Sequence, residues 1–129
     1  MDDEGDDDDR SEPPSASIGI ASKEGLAYDL NHLNKHLPGT IESIKLIQKD
    51  GAAHVFTDIA TLSRVEAAIL DRGDPGGPVR GTVRFGLRFD QPIGYRISRD
   101  GSRLPLDYGE LKLNSDGRYH IIPRRGSSR

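Results

Sequence analysis

The stretch TVRFGLRFD (Thr82–Asp90) decides the fold. Val83, Phe85, Leu87 and Phe89 point one way and Thr82, Arg84, Gly86 and Arg88 the other, the period of two that marks a strand with one apolar face. Working downstream, Pro92 interrupts the chain, and Ile93, Tyr95 and Ile97 against Gly94, Arg96 and Ser98 give a second strand. Asp100-Gly101 supplies a hairpin turn. Leu104 to Leu113 reads as a third strand whose phase changes at Tyr108-Gly109, which predicts a β-bulge. Asn114 to Gly117 is a second turn, and Arg118 to Arg124 the last strand.

Upstream the period changes. The run DRGDPGGPVRG (71–81), with four glycines and two prolines, reads as a mobile, partly basic loop. Before it, Ile59, Leu62, Val65, Ile69 and Leu70 form one side of a helix over 58–71, capped by Thr57 or Asp58 and stopped at Gly73. His54-Val55-Phe56 is a short extended lead-in. Ile41, Ile44 and Ile47 predict a helix over 40–49, capped by Thr40 and ended at Asp50-Gly51, with a strand as the competing reading. Leu26, Leu30, Leu33 and Leu37 predict a further helix from Lys23 to His36, with Ser22 as N-cap and Pro38-Gly39 as its stop. The expected fold is α+β: N-terminal helices followed by a four-stranded antiparallel meander sheet, with the 58–71 helix on its apolar face. That order excludes doubly wound nucleotide folds.

The charge is unevenly spread. Residues 1–17 hold eight acids and one base, whereas residues 18–129 hold 17 bases and 13 acids, 11 of those bases lying from residue 80 onward. Three segments follow: a disordered acidic tail (1–17), a single α+β domain (18–125) and a disordered C-terminal end (126–129). The tail serves as a solubilising segment, or Asp6 to Asp9 fold back and screen the basic half. It has neither a basic nor an apolar signal-peptide region, so a cytoplasmic location is expected. No apolar run approaches the roughly 20 residues of a membrane-spanning helix. With no cysteine in the chain, disulfides, thiolate metal sites and cysteine nucleophiles are excluded.

Function is expected on the polar face of the sheet. Arg84, Arg88, Arg96 and Lys112 are the anion-binding candidates there, because guanidinium forks match phosphate. Glu110 and His120 sit on neighbouring strands and are the catalytic candidates; Tyr108 and Arg124 stand beside them as secondary ones. RNA cleavage without a metal needs this set: a base for the 2′-hydroxyl, a cation for the phosphorane and an acid for the leaving oxygen. The same face would equally serve a non-catalytic module that binds RNA or an acidic protein. His32 and His36 have the i, i+4 spacing of a metal pair but no HExxH glutamate or third ligand, so they read as a helix surface. No motif for a cofactor, phosphate-cradling loop or serine nucleophile is present, so neither metal nor cofactor is expected.

Helices, then a basic meander with a late histidine, resemble the small bacterial ribonucleases and toxins of the barnase, endonuclease U and relaxed-control toxin type. That resemblance implies Glu110 as base, Arg84 or Arg88 as phosphate stabiliser and His120 as acid, with RNA as substrate and an immunity or antitoxin-type protein as partner. The chain departs from the pattern in ending Tyr119-His120 where the barnase type has Asp-His-Tyr. The strings HVF (54–56), RG-x-x-RFGLRF (80–89), PIGYRIS-x-DGS (92–102), YGE-x-K (108–112) and GRYHIIPR (117–124) also resemble an uncharacterised small bacterial domain, found among cyanobacteria too.

Overall fold

The Thr82–Asp90 alternation forms β4 (Thr82–Arg88), the middle of a mixed α+β structure with two sheets. The computed structural model describes residues 25–79 and 81–126. The expected tail (1–17), the Ser22 cap and residues 127–129 lie outside the described residues. Along the chain follow β1 (Ala27–Tyr28), two 3-10 turns (Leu30–His32 and Asn34–His36), α1 (Ile41–Asp50), β2 (Ala52–Phe56), α2 (Ile59–Arg72) and β3 (Asp74–Val79). After β4 come β5 (Gly94–Ser98), β6 (Arg103–Leu106), β7 (Tyr108–Leu113) and β8 (Arg118–Arg124). Five strands pair in the order β1-β8-β7-β4-β3, and three in the order β2-β5-β6. Among the described residues only the β1–β8 pair is parallel. Among the described residues no helix is long and apolar enough to cross a membrane.

The expected single meander is therefore divided. β5 and β6 leave the larger sheet to pair with β2, and the chain returns through Asp107 alone. Backbone bonds from Phe89 N to Asp107 O and from Ile93 N to Leu106 O, 2.7 Å each, stitch the two crossings together. The phase change at Tyr108-Gly109 is this change of sheet, not a bulge. Gly109 has a different purpose: an added Cβ would lie 2.7 Å from Val65 Cγ1, so its absence lets α2 settle on β7.

The 71–81 run is also not a loop. Residues Asp74–Val79 form an edge strand paired with β4, with a register shift between Pro75 and Gly77. An edge position tolerates proline, because its missing N–H is not needed on the outer side. The helix expected over 23–36 is replaced, in the described part, by β1 and the two 3-10 turns. Ala27 N and Asp29 N donate to Gly117 O and Tyr119 O, which ties this segment to β8. The Asp29 side chain then accepts from Asn31 N at 3.1 Å, starting a short turn where an α-helix would need that amide. Leu26, Leu33 and Leu37 still pack on the core, while Leu30 is 71% exposed.

Both other helices have the expected ends. Thr40 caps α1 through Ser43 N, and Gly51 closes it in the left-handed region at φ 89°. Its isoleucines do not all face inward: Ile41 and Ile44 are exposed, and Ser43 is the buried residue. Asp58 caps α2 through Thr61 N. Leu62, Val65 and Ile69 of α2 join Phe56, Phe85, Ile93, Leu111, Tyr119 and Ile121 in one core. Burying side chains of this size contributes about 1.5–3 kcal/mol each.

The polar face of the larger sheet is not open either. β2, β5 and the second 3-10 turn pack over β8. Arg84, Glu110 and His120, expected on an exposed face, are 6%, 1% and 7% exposed.

Candidate functional site

The β7–β8 register places Lys112 opposite His120, Glu110 opposite Ile122 and Tyr108 opposite Arg124. His120 projects toward the 3-10 turns, where the sequence supplies two more imidazoles. Its ring stacks on His32, with centroids 4.2 Å apart and planes 13° apart, and lies parallel to His36 at 5.9 Å. His36 Nδ1 is 2.9 Å from the His54 carbonyl. A carbonyl only accepts, so Nδ1 carries the proton and Nε2 the lone pair. By the same reasoning His54 Nδ1 donates to Pro123 O at 3.1 Å. Three buried nitrogens of the cluster, His36 Nε2, His32 Nδ1 and His120 Nδ1, have no hydrogen-bond partner among the described residues.

Burial and like charge keep these rings neutral. His120 is pushed down to about 3, first by burial and then by His32, His36, Lys112 and Lys35. His36 is pushed down to about 4 by burial, against the opposing pull of its bond to His54 O. Burial also lowers His32 and His54, with Lys35 adding to the first and Arg124 to the second. Lys112 is lowered by burial and by the charges of Arg84 and Arg124. Neither Lys112 nor Lys35 has a carboxylate ion-pair partner among the described residues.

These shifts make stability depend on pH with a definite sign. Imidazoles of the unfolded chain take up protons near pH 6.5, whereas folded His36 and His120 wait until about 4 and about 3. The unfolded state thus binds more protons throughout this window, and stability falls as pH falls below 6.5. Each pH unit removes about 1.4 kcal/mol per buried imidazole. Urea unfolding from about pH 7.5 to about pH 4.5 should show this slope, flattened in His36→Asn. A wild-type midpoint constant over that range would mean the rings are solvated.

Beside the histidines lies a buried ion triad. Glu110 Oε1 is 3.2 Å from Arg84 Nη1 and 2.8 Å from Arg124 Nε, with the Glu110 side chain 2% exposed. The Arg124 contact has ion-pair distance but not hydrogen-bond alignment. The other two arginine candidates lie apart. Arg88 is exposed, pairs with Asp107, donates to Arg125 O at 3.0 Å and covers the Tyr108 ring. Arg96 is exposed on β5, opposite His54 on β2, and donates to Ser98 Oγ at 3.1 Å.

His120, Lys112, Arg84, Glu110 and Arg124 thus come together, while Arg88 and Arg96 stand at either side. Sequence reasoning missed His32, His36, His54 and Lys35; the i, i+4 histidine pair was their signal. Stacked rings hold their in-plane lone pairs nearly parallel, a poor arrangement for one shared metal ion. No group of three or more His, Asp or Glu residues among the described ones is placed to hold a metal. A shallow depression lined by Asp90, Pro92, Pro105, Asp107 and Arg125 lies at the sheet crossing and contains none of the histidines.

Comparison with solved structures finds a chain of the CdiA-CT/CdiI complex from Y. kristensenii 33638, at 16% identity and a TM-score of 0.49, covering 71% of this chain and 98% of that one. No curated protein matches the sequence. Residues 24–128 match a family model described as Domain of unknown function (DUF6972). The match spans most of the sequence and all of the site described above: the chain belongs to the DUF6972 family.

Proposed function

We propose that the protein cleaves RNA without a metal, at the cluster of His32, His36 and His120. The observation that carries this reading is the convergence of three imidazoles with nitrogens unpartnered among the described residues, beside two lysines that lack carboxylate partners among those residues. His36 is the base, since its tautomer presents a lone pair at Nε2. It takes the proton of a 2′-hydroxyl, the freed oxygen attacks the adjacent phosphorus, and the P–O5′ bond breaks to leave a 2′,3′-cyclic phosphate. His120 delivers the proton to the departing 5′-oxygen. Lys112, in register with His120, steadies the charge that builds on the phosphate. Burial is the main reason His120 is unprotonated, and a bound phosphate offsets the charges of Lys112 and Lys35 that add to it. His32, partly exposed, is the ring that moves aside.

Glu110, expected from the sequence to be the base, has a different role in this reading. Its carboxylate sits between two guanidiniums and away from solvent, where it positions Arg84 and Arg124. A second reading rests on the neutral histidines: with no protonated imidazole in the free protein, the cluster could bind RNA without cutting it. One experiment separates the two. Purified protein is incubated with tRNA and total RNA in EDTA, and fragment ends are analysed. Fragments bearing 2′,3′-cyclic phosphate are expected; intact RNA that is nonetheless bound would leave the binding module.

A further inference from the structure

Arg124 is held by a single ion-pair contact among the described residues: its Nε lies 2.8 Å from Glu110 Oε1, without hydrogen-bond alignment. The side chain is 26% exposed, so the fork reaches the surface where the two sheets meet. Across that seam stand His54 on β2 and, opposite it in register, Arg96 on β5. The seam is close-packed: His54 Nδ1 donates to Pro123 O, next to Arg124, and the charges of Arg124 and Arg96 both act on the His54 ring. Among the described residues Glu110 is the one carboxylate within ion-pair distance of Arg84 or Arg124, and none lies within that distance of Arg96.

The geometry points to a second anion subsite at this seam, in which Arg124 and Arg96 grip a phosphodiester of the same RNA strand as the linkage that lies at the histidines. The inference rests on the proposed RNA reading and adds where the strand runs. His120 and Arg124 are four residues apart on β8, so their α-carbons are roughly 13 Å apart. A subsite that far away holds a flanking phosphate, not the reacting one. Arginine suits the position, because a planar guanidinium whose Nε faces Glu110 presents its two remaining amino groups together to a phosphate. The buried Glu110 sets the fork's direction before ligand arrives, which limits the ordering cost on binding.

Oligodeoxythymidine, which has no 2′-hydroxyl to attack, tests this subsite separately from cleavage. Binding of a labelled strand of about twelve nucleotides is followed by fluorescence anisotropy against salt, where each lost phosphate contact lowers the log–log slope by about 0.7. Arg124→Gln and Arg96→Gln should each lower the slope by that amount and weaken the long strand, while leaving the affinity of a dinucleotide unchanged. Arg96 is exposed, so its variant folds even if Arg124→Gln does not. An unchanged slope in Arg96→Gln, or equal weakening of dinucleotide and long strand, overturns the subsite. If the slope falls as expected but wild type leaves RNA intact, the subsite stands and the cleavage reading fails.

Discussion

If the proposed RNA cleavage holds, replacing His120 with alanine should lower its rate about 10²–10⁴-fold, the range for loss of one positioned acid or base. Three features of the site make His120 the side chain whose loss costs most. It is the ring that both His32 and His36 contact. It faces Lys112 across the β7–β8 pair, so the proposed acid and the proposed charge-stabilising cation share one register. It is also pushed down to about 3, first by burial and then by nearby charge. Thermal melting of the variant distinguishes lost chemistry from lost fold. A variant that cleaves as fast as wild type would remove His120 from the mechanism.

Glu110→Ala acts on stability, at about 3–5 kcal/mol, because it strands two guanidiniums without their carboxylate in a desolvated place. Arg84 is the critical partner: its side chain is 7% exposed and its Nε is already unpartnered. For a domain of this size each lost kcal/mol lowers the melting temperature by several degrees, so a fall of more than about 10 °C is expected. Glu110→Gln should fall between the two, since it keeps the shape and an acceptor oxygen while losing the charge. Replacing all three triad members with apolar residues of similar volume should cost far less than the single alanine, as buried ion pairs are stabilised mainly against being broken. Urea midpoints for the three variants check the order. A loss below about 1 kcal/mol for Glu110→Ala would mean that water reaches the triad.

Local rules in the sequence located those elements whose boundaries depend on neighbouring residues. Thr40 and Gly51 bracket α1, and Asp58 starts α2, because caps act within a few residues. The β4 and β8 alternations were legible for the same reason. Sheet membership was not. Nothing local distinguishes a strand that continues in its sheet from one that crosses to another at Asp107, since both read as alternation with a break in phase. The proline-rich β3 exists because β4 offers it an edge, and the 23–36 pattern gave way where β8 captured the backbone of Ala27 and Asp29. The same limit applied to the site. His120, Glu110, Lys112 and Arg124 lie on one hairpin and could be placed together from spacing alone. His32 and His36 join them only because the 3-10 turns pack over β8, a contact between residues more than 80 positions apart.

The hydrogen bonds from His36 to His54 O and from His54 to Pro123 O have a consequence for cooperativity. The first joins the 3-10 turns to the small sheet, and the second joins the small sheet to the large one. Local opening follows such seams, and a unit can detach while the rest of the domain stays folded. If β2 lifts away, the lone pair on His36 loses its orientation, the Arg124 fork loses its opposite wall and Phe56 leaves the core, yet Leu62, Val65 and Ile69 of α2 keep their packing on Phe85, Leu111 and Ile121 of the larger sheet. Function in this domain therefore belongs to the docked pair of sheets, and it should fail before the fold does.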